Sequence, residues 1–128
     1  MKIERFEDIE GWKMARELCT KVRGATRIGP FARDWDLRQQ IQRAAGSAMH
    51  NIAEGYDAES NKEFIRFLRY AKRSCSEVQS ELYEALDAGH IQTETFEEIY
   101  THAAKTRAAI HGFIRYLISY EKRKNLEP

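Results

Sequence analysis

The sequence contains few residues that interrupt helices, with only 2 prolines and 7 glycines among 128 residues. Charged residues make up 32% of it, which is typical of long amphipathic helices with a solvated outer face. A chain of this length can bury roughly two-thirds of the surface that it exposes when unfolded. We therefore predict one all-α domain over residues 1–128.

The sequence also lacks the signals of export and of membrane insertion. No apolar run approaches the roughly 18 residues that suggest a transmembrane helix, and residues 1–5 do not begin a signal peptide. Cys19 and Cys75 have no metal-ligand spacing and fall on apolar helix faces, so we expect reduced thiols in the core. These absences favour a cytoplasmic protein with no membrane partner.

Neither sign of charge predominates, because 21 Lys and Arg residues balance 20 Asp and Glu residues and leave a formal net charge of +1. Nothing in the total charge would draw the chain onto nucleic acid or an anionic membrane. A site for a polyanion must therefore come from local segregation of charge.

Hydrophobic periodicity predicts four helices, over about residues 8–27, 36–54, 61–88 and 94–123. Short connections favour antiparallel neighbours, so the predicted fold is an antiparallel up-down-up-down four-helix bundle. The inward face of the first helix is predicted to carry Trp12, Ala15, Cys19, Val22 and Thr26. That of the last helix is predicted to carry Phe96, Ile99, Ala103, Ile110, Phe113, Ile114 and Leu117.

Local signals predict where these helices begin and end. Asp8 is the predicted N-cap of the first helix, and Thr93 that of the last. Gly55 is expected to end the second helix as a left-handed residue. Ser60 and Glu63 have the spacing of a capping box. The remaining predicted breaks are Gly29-Pro30 after the first helix and Gly89 after the third.

The connector over residues 31–35 contains two aromatic residues, Phe31 and Trp35. We expect it to pack over the core, since a free linker would not need large apolar side chains.

A polar row lies beside the apolar face of the second helix, and consists of Gln40, Ser47, Asn51 and Glu54. It is either a boundary stripe in water or a sheltered hydrogen-bond network, and we favour the network at a contact between copies of the chain. Glu54 lies where the helix dipole disfavours a carboxylate, which suggests Arg43 or Lys13 as a partner. The predicted oligomer interface comprises Gln40, Arg43, Ser47, Asn51, Glu54 and Tyr116.

The outer face of the third helix changes sign along its length. Its first half carries Lys62, Arg66, Arg69 and Arg73, and its second half carries Glu77, Glu84 and Asp87. Three interpretations stay open: a solvated face with pairs such as Arg73 with Glu77, a stripe that binds phosphates, or a head-to-tail contact between subunits.

Aromatic residues widen the apolar arc of the fourth helix, and Tyr116 projects well away from that arc. Tyrosines can cover the core with their hydroxyl groups in water, and they are also favoured at subunit interfaces. Stacking on nucleic-acid bases is a third interpretation. The aromatic residues are Tyr100, Phe113, Tyr116 and Tyr120.

Catalytic and metal-binding patterns are missing from the sequence. It has no phosphate loop, dinucleotide fingerprint or nucleophile elbow. Di-iron bundles repeat Glu-x-x-His on facing helices, whereas this chain has only Asp87-x-x-His90. Glu98 and His102 are four residues apart, but a surface pair explains them better than a metal. We predict no enzyme activity, no metal and no cofactor.

Several blocks of residues match a known family, and the most specific of them is Asn-Ile-Ala-Glu-Gly at residues 51–55. The other matching residues are Phe6, Trp12, Lys13, residues 37–40, 43–45, Ser47, 62–68, Ala71, Ser74 and Glu77. Through these blocks nearly the whole chain resembles the four-helix-bundle proteins encoded in intervening sequences of bacterial large-subunit rRNA genes. Related proteins include the accessory factor of diversity-generating retroelements.

The resemblance implies a bundle that assembles into a cyclic homo-oligomer, commonly a pentamer. In the retroelement branch it also implies contact with nucleic acid and with a reverse transcriptase. Our hypothesis is a ring-forming scaffold that binds RNA or DNA weakly through Lys62, Arg66, Arg69 and Arg73. The alternative is a protein-interaction module that recruits a partner such as a reverse transcriptase without touching nucleic acid.

Overall fold

The structure is a computed structural model that describes residues 2–126. Within this range the chain forms five α-helices and a 3-10 turn at Phe6–Asp8, and it forms no strand. The all-α prediction is confirmed, with one short helix that the sequence did not suggest. The helices are α1 (Glu10–Thr26), α2 (Gly29–Arg33), α3 (Trp35–Tyr56), α4 (Asn61–Asp87) and α5 (Thr93–Leu126).

The four long helices pack in a closed square in which α1 and α4 each contact both α3 and α5. Ser47 of α3 meets Ser74 of α4, and Gly55, further along α3, meets Phe64, which lies earlier in α4. The two helices therefore run in opposite directions.

Helix α5 also runs in the opposite direction to α4, as contacts near both ends of the two helices show. Asn61 near the start of α4 donates to Glu121 near the end of α5, whereas Tyr83 near the end of α4 packs on Phe96 near the start of α5. Helices α4 and α5 are therefore antiparallel as well.

The core extends along the bundle in two clusters of buried side chains. One includes Leu18, Phe31 and Leu82, and the other includes Ile52 and Leu68. Burial of these apolar side chains supplies most of the favourable free energy of folding.

The inward face of α1 differs from the prediction. Leu18 is fully buried, whereas Trp12 and Cys19 are only half-buried. Phe113 of α5 is also half-buried, and the core instead includes Thr106, whose hydroxyl donates to the His102 carbonyl at 2.7 Å. Polar side chains that bond their own helix backbone can be buried at low cost, which apolar periodicity alone does not reveal.

Two of the predicted helix ends are wrong. Asp8 does not cap α1, because its carboxylate accepts from the Glu4 and Arg5 amides in the preceding turn. Gly55 does not end α3, since it lies inside the helix and, among the described residues, only Gly29 and Gly89 have positive φ.

Two other helix ends agree with the sequence, and the predicted cap of α5 differs from the structure by one residue. The Ser60 hydroxyl accepts from the Glu63 amide at 3.2 Å, and Gly89 ends α4 with φ of 76°. Helix α5 begins at Thr93, but the Phe96 amide donates to the Gln92 carbonyl, so the cap lies one residue earlier than predicted.

The connector after α1 folds into α2 because Gly29 adopts φ of 62° and Pro30 occupies the first turn, where its missing amide costs nothing. Phe31 is fully buried, as predicted for this connector, but Trp35 is 57% exposed. Asp34 then caps α3 and accepts from His90 at 2.9 Å, which ties two connectors together. Among the helices of residues 2–126, none combines the length and apolarity needed to cross a bilayer.

Candidate functional site

The four predicted nucleic-acid-binding residues, Lys62, Arg66, Arg69 and Arg73, are all exposed on α4. Arg66 is already engaged, because its Nε donates to Glu63 at 2.6 Å and its Nη1 donates to the Tyr70 hydroxyl at 2.8 Å. Arg73 lies over the Tyr70 ring, with its Cζ 5.0 Å from the centroid.

These contacts place the predicted nucleic-acid-binding residues on two different sides of α4. Arg66 and Arg73 flank Tyr70, which lies one turn before Ser74 on the side of α4 that contacts α3. The predicted pair of Arg73 with Glu77 does not form between these described residues. Arg69 lies instead on the side of α4 that faces α5, where its positive charge contributes to lowering the pKa of His111.

A cluster of cations lies where α4 meets α5, and we call it the α4–α5 basic cluster: Arg69, Lys72, Arg107, His111 and Arg115. The Lys72 Nζ lies 3.0 Å from His111 Nδ1, and Arg107 Nε donates to Ser76 Oγ at 2.9 Å. The positive charge of Lys72 is the largest cause that lowers the pKa of His111 below its usual value; partial loss of hydration comes next, followed by the charges of Arg115, Arg107 and Arg69.

The helix segments that carry this cluster contain no carboxylate that would offset its positive charge. Residues 64–76 and 99–120 contain seven Lys or Arg and no Asp or Glu. Beyond them, Lys62, Lys122 and Lys124 line an open depression of about 700 Å³ between the start of α4 and the end of α5, which Glu59 and Glu121 also line. The surface without acidic residues is therefore that of the two segments, and the depression beyond it carries both signs of charge.

Sequence reasoning missed Lys72, Arg107, His111 and Arg115 because it treated each helix alone. The signal was present in the two segments without acids. Recognising it required the antiparallel register that brings residue 72 beside residue 111.

The second half of α4 holds an acidic group with the opposite chemistry. Glu81 is only 8% exposed, and its Oε1 has no hydrogen-bond partner. Burial, followed by the charges of Glu77 and Glu84, raises the pKa of Glu81 to about 7. Sequence reasoning did not single out Glu81, because a charged residue is expected on the solvated face.

The predicted polar row on α3 contains two half-buried residues and two exposed ones. Ser47 and Asn51 are half-buried: the Asn51 amide donates to Ser47 Oγ at 2.9 Å, and Ser74 of α4 donates to the same oxygen at 3.0 Å. Gln40 and Glu54 are exposed.

The charged partners suggested for Glu54 do not meet it. Neither Arg43, which is exposed on α3, nor Lys13 of α1 forms an ion pair with Glu54 in the described residues. Only the part of the row formed by Ser47 and Asn51 is used inside the subunit.

Tyr116 is 54% exposed and stacks on Phe113 with 6.0 Å between ring centroids. Both belong to an aromatic groove of about 670 Å³ at one end of the bundle. We define this aromatic groove by Tyr56, Phe64, Phe113, Tyr116 and Tyr120, with Gly11 and Gly112 between them.

The other side chains that could bind a metal or react are paired with neighbouring groups or buried. Glu98 pairs with Lys21 at 2.6 Å, and His102 lies 2.8 Å from the Met14 carbonyl. Burial raises the pKa of Cys75 to about 12, so its thiol stays protonated near neutral pH. Within residues 2–126, no group of three or more His, Cys, Asp or Glu side chains could hold a metal ion.

Comparison with known proteins identifies relatives of this bundle. Its fold is similar to the crystal structure of a protein of unknown function from the S23 ribosomal protein family of Bacteroides thetaiotaomicron. The TM-score is 0.76 at 20% identity, covering 82% of this chain and 95% of the other. No curated protein matches the chain. The family model for the 23S rRNA-intervening sequence protein matches residues 7–112, so the chain belongs to that family.

Proposed function

We propose that the protein is a non-enzymatic scaffold that forms a cyclic homo-oligomer, with five subunits, and binds nucleic acid through the basic surface of α4 and α5. The binding surface comprises the predicted residues Lys62, Arg66, Arg69 and Arg73 together with the α4–α5 basic cluster. The observation that carries the nucleic-acid part is the meeting of cations from two helices, with Lys72 Nζ 3.0 Å from His111 Nδ1 and Arg107 donating to Ser76 Oγ at 2.9 Å, in segments that contain no Asp or Glu.

The shape of the surface suits a phosphate backbone. At 1.5 Å per residue, the distance along α5 from Arg107 to Lys122 is about 22 Å. A duplex strand carries one phosphate per roughly 3.4 Å of helix axis, so the surface spans about six phosphates. Lysine and arginine contacts of this kind provide affinity without base specificity.

Assembly is supported by what α3 and α5 leave exposed. Gln40 and Glu54 of the polar row, and Arg43 on the same helix, are exposed and form no ion pair among the described residues, and Tyr116 presents a large aromatic surface within the aromatic groove. Ser47 and Asn51 would then lie at the edge of the contact, held in place by Ser74. The resemblance to ring-forming bundles supports a closed assembly.

The nucleic-acid proposal is tested by measuring the affinity for a short RNA duplex as salt is raised. Removing three phosphate contacts should make the negative slope of log K against log salt shallower by roughly 2.7, and should weaken binding at low salt. The test variant is Arg69→Ala with Lys72→Ala and Arg107→Ala. The matched control removes three exposed cations of α1 by changing Lys13, Arg16 and Arg23 to Ala. Absence of binding at low salt, or equal losses in the two variants, would overturn the proposal.

Light scattering of the purified protein tests assembly. We expect a particle several times heavier than the 15.0 kDa chain, and a lower mass for a variant with Tyr116→Ala and Glu54→Ala. A 15.0 kDa particle at high protein concentration contradicts the ring.

A second function is a protein-interaction module that recruits a partner, such as a reverse transcriptase, without touching nucleic acid. The aromatic groove favours it, because its volume of about 670 Å³ is within the usual range for apolar recognition sites. Partner capture that survives nuclease treatment and is lost on Tyr120→Ala would support this alternative. Capture that nuclease treatment abolishes would contradict it.

A further inference from the structure

We propose that His111 is a phosphate-binding residue of the α4–α5 basic cluster, and that it takes up a proton when nucleic acid binds there. This inference rests on the proposed nucleic-acid function and adds to it a specific contact and a form of regulation.

The geometry defines the state of His111 in the free protein. Lysine has three donors and no acceptor, so the His111 Nδ1 that lies 3.0 Å from Lys72 Nζ must accept that hydrogen bond. The imidazole is therefore neutral and carries its proton on Nε2. Because His111 is exposed, this N–H can donate to a group arriving from solvent.

The neighbouring charges explain why the ring is neutral. Arg69 and Lys72 face His111 from α4, and Arg107 and Arg115 face it from its own helix. All four disfavour a further positive charge, which lowers the pKa of His111. The acid-free segments 64–76 and 99–120 supply no carboxylate to offset them.

A bound phosphate reverses this balance. Its negative charge near the cluster favours the imidazolium and raises the pKa of His111. Protonation of Nδ1 breaks the hydrogen bond from Lys72, because both atoms are then donors. The Lys72 ammonium and the His111 ring can then both donate to phosphate oxygens. These hydrogen bonds are strong because the donors and the acceptor are charged.

The direction of the pH dependence follows from these two states. Above both pKa values His111 is neutral with or without ligand, so affinity does not change with pH. Affinity rises as pH falls through the range between the bound and the free pKa, because the complex holds a proton that the free protein lacks. Lysine and arginine stay charged throughout this range, so they cannot produce the same effect.

The experiment is isothermal titration calorimetry of an unlabelled short RNA duplex at fixed ionic strength from pH 8 to pH 5.5. Repeating each titration in two buffers of different ionisation enthalpy measures proton uptake directly. We expect affinity to increase by up to about tenfold over this range, the change that one pKa unit produces, with a net uptake that peaks at about half a proton for each bound cluster, midway between the free and the bound pKa.

Three variants isolate the contribution of His111. His111→Gln should bind with an affinity independent of pH and take up no proton. His111→Arg, which is always charged, should bind at pH 8 at least as tightly as the wild type does at pH 5.5. The matched control is His50→Gln, which removes an exposed histidine of α3 and should keep the wild-type pH dependence.

The outcomes separate this inference from the function beneath it. RNA binding with no proton uptake, or uptake that persists in His111→Gln, overturns the role of His111 and leaves nucleic-acid binding intact. Failure of the wild type to bind RNA even at pH 5.5 overturns the proposed function itself.

Discussion

Helix α4 contacts its two neighbours by different means, and the difference decides which surface is free to bind a ligand. Towards α3 the contact is made by small residues. A Cβ on Gly55 would lie 2.8 Å from Phe67 Cβ and 2.8 Å from Phe64 Cδ1, so the two backbones approach closely. The alanines at 44, 45 and 48 of α3 and at 71 of α4 are also buried.

Towards α5 the contact is made by large aromatic rings, with cations along its rim. Phe64 packs on Phe113 with centroids 5.5 Å apart, and Tyr83 packs on Phe96 at 4.8 Å. Outside these rings, Lys72 and Arg107 make exposed polar contacts with the opposite helix. The small-residue contact fixes the position of the helices, and the aromatic contact leaves its charged rim available.

The largest expected effect is at the small-residue contact. Gly55→Ala should lower the free energy of unfolding by about 2 kcal/mol, because the new methyl group overlaps Phe67 Cβ, which cannot move without its backbone. Urea denaturation measures the change.

The matched control for Gly55→Ala is Gly46→Ala in the same helix, where the nearest atom to a Cβ is 3.9 Å away. This control should gain about 0.5–1 kcal/mol from the higher helix propensity of alanine. Equal effects of the two substitutions would show that α3 and α4 do not approach closely at Gly55.

The next effect lies further along α4 and depends on pH. The pKa of Glu81 is about 7 in the folded protein, above its value in the unfolded chain, so stability falls as pH rises towards 7 and Glu81 ionises. Glu81→Gln cannot ionise and should raise the free energy of unfolding by about 1–2 kcal/mol at pH 8, with little change at pH 5.

Denaturation curves at both pH values check this prediction, with Glu97→Gln, an exposed residue of α5, as the control. A gain of equal size at pH 5 and pH 8 would contradict a buried, titrating Glu81.

A smaller effect tests the hydrogen bonds within the small-residue contact. Ser47→Ala removes the oxygen that accepts from both Asn51 and Ser74, and should cost about 1 kcal/mol. Ser76→Ala, at an exposed serine of α4, should change stability much less. If light scattering shows that Ser47→Ala also reduces the particle mass, Ser47 contributes to the contact between subunits as well as to the fold.

The smallest effect on stability is expected at the charged rim. Lys72→Ala and Arg107→Ala should each change the free energy of unfolding by less than about 0.5 kcal/mol, because exposed polar pairs contribute little. Both should nevertheless weaken RNA binding. Large losses of stability in these variants would mean that the rim holds α4 and α5 together, which would remove the contrast between the two contacts.

The limits of sequence reasoning are clearest at particular residues. Ser60 and Gly89 were predicted correctly because a cap and a positive φ depend on a few neighbouring residues. Gly55 was misread because glycine serves both for a left-handed turn and for close approach of two helices, and only the neighbouring helix distinguishes these uses. Leu18 was missed because the exact rotation of α1 depends on what it packs against.

The sequence by itself determined the all-helical class and the charge reversal along α4, because periodicity and charge are local properties of the chain. Only the tertiary structure decided that Arg69 and Lys72 meet Arg107, His111 and Arg115, since that meeting requires the register of two antiparallel helices. It also decided that Glu81 is buried and that Ser47 and Asn51 bond within the subunit. Burial and partnership depend on residues distant in the chain, which local patterns do not contain.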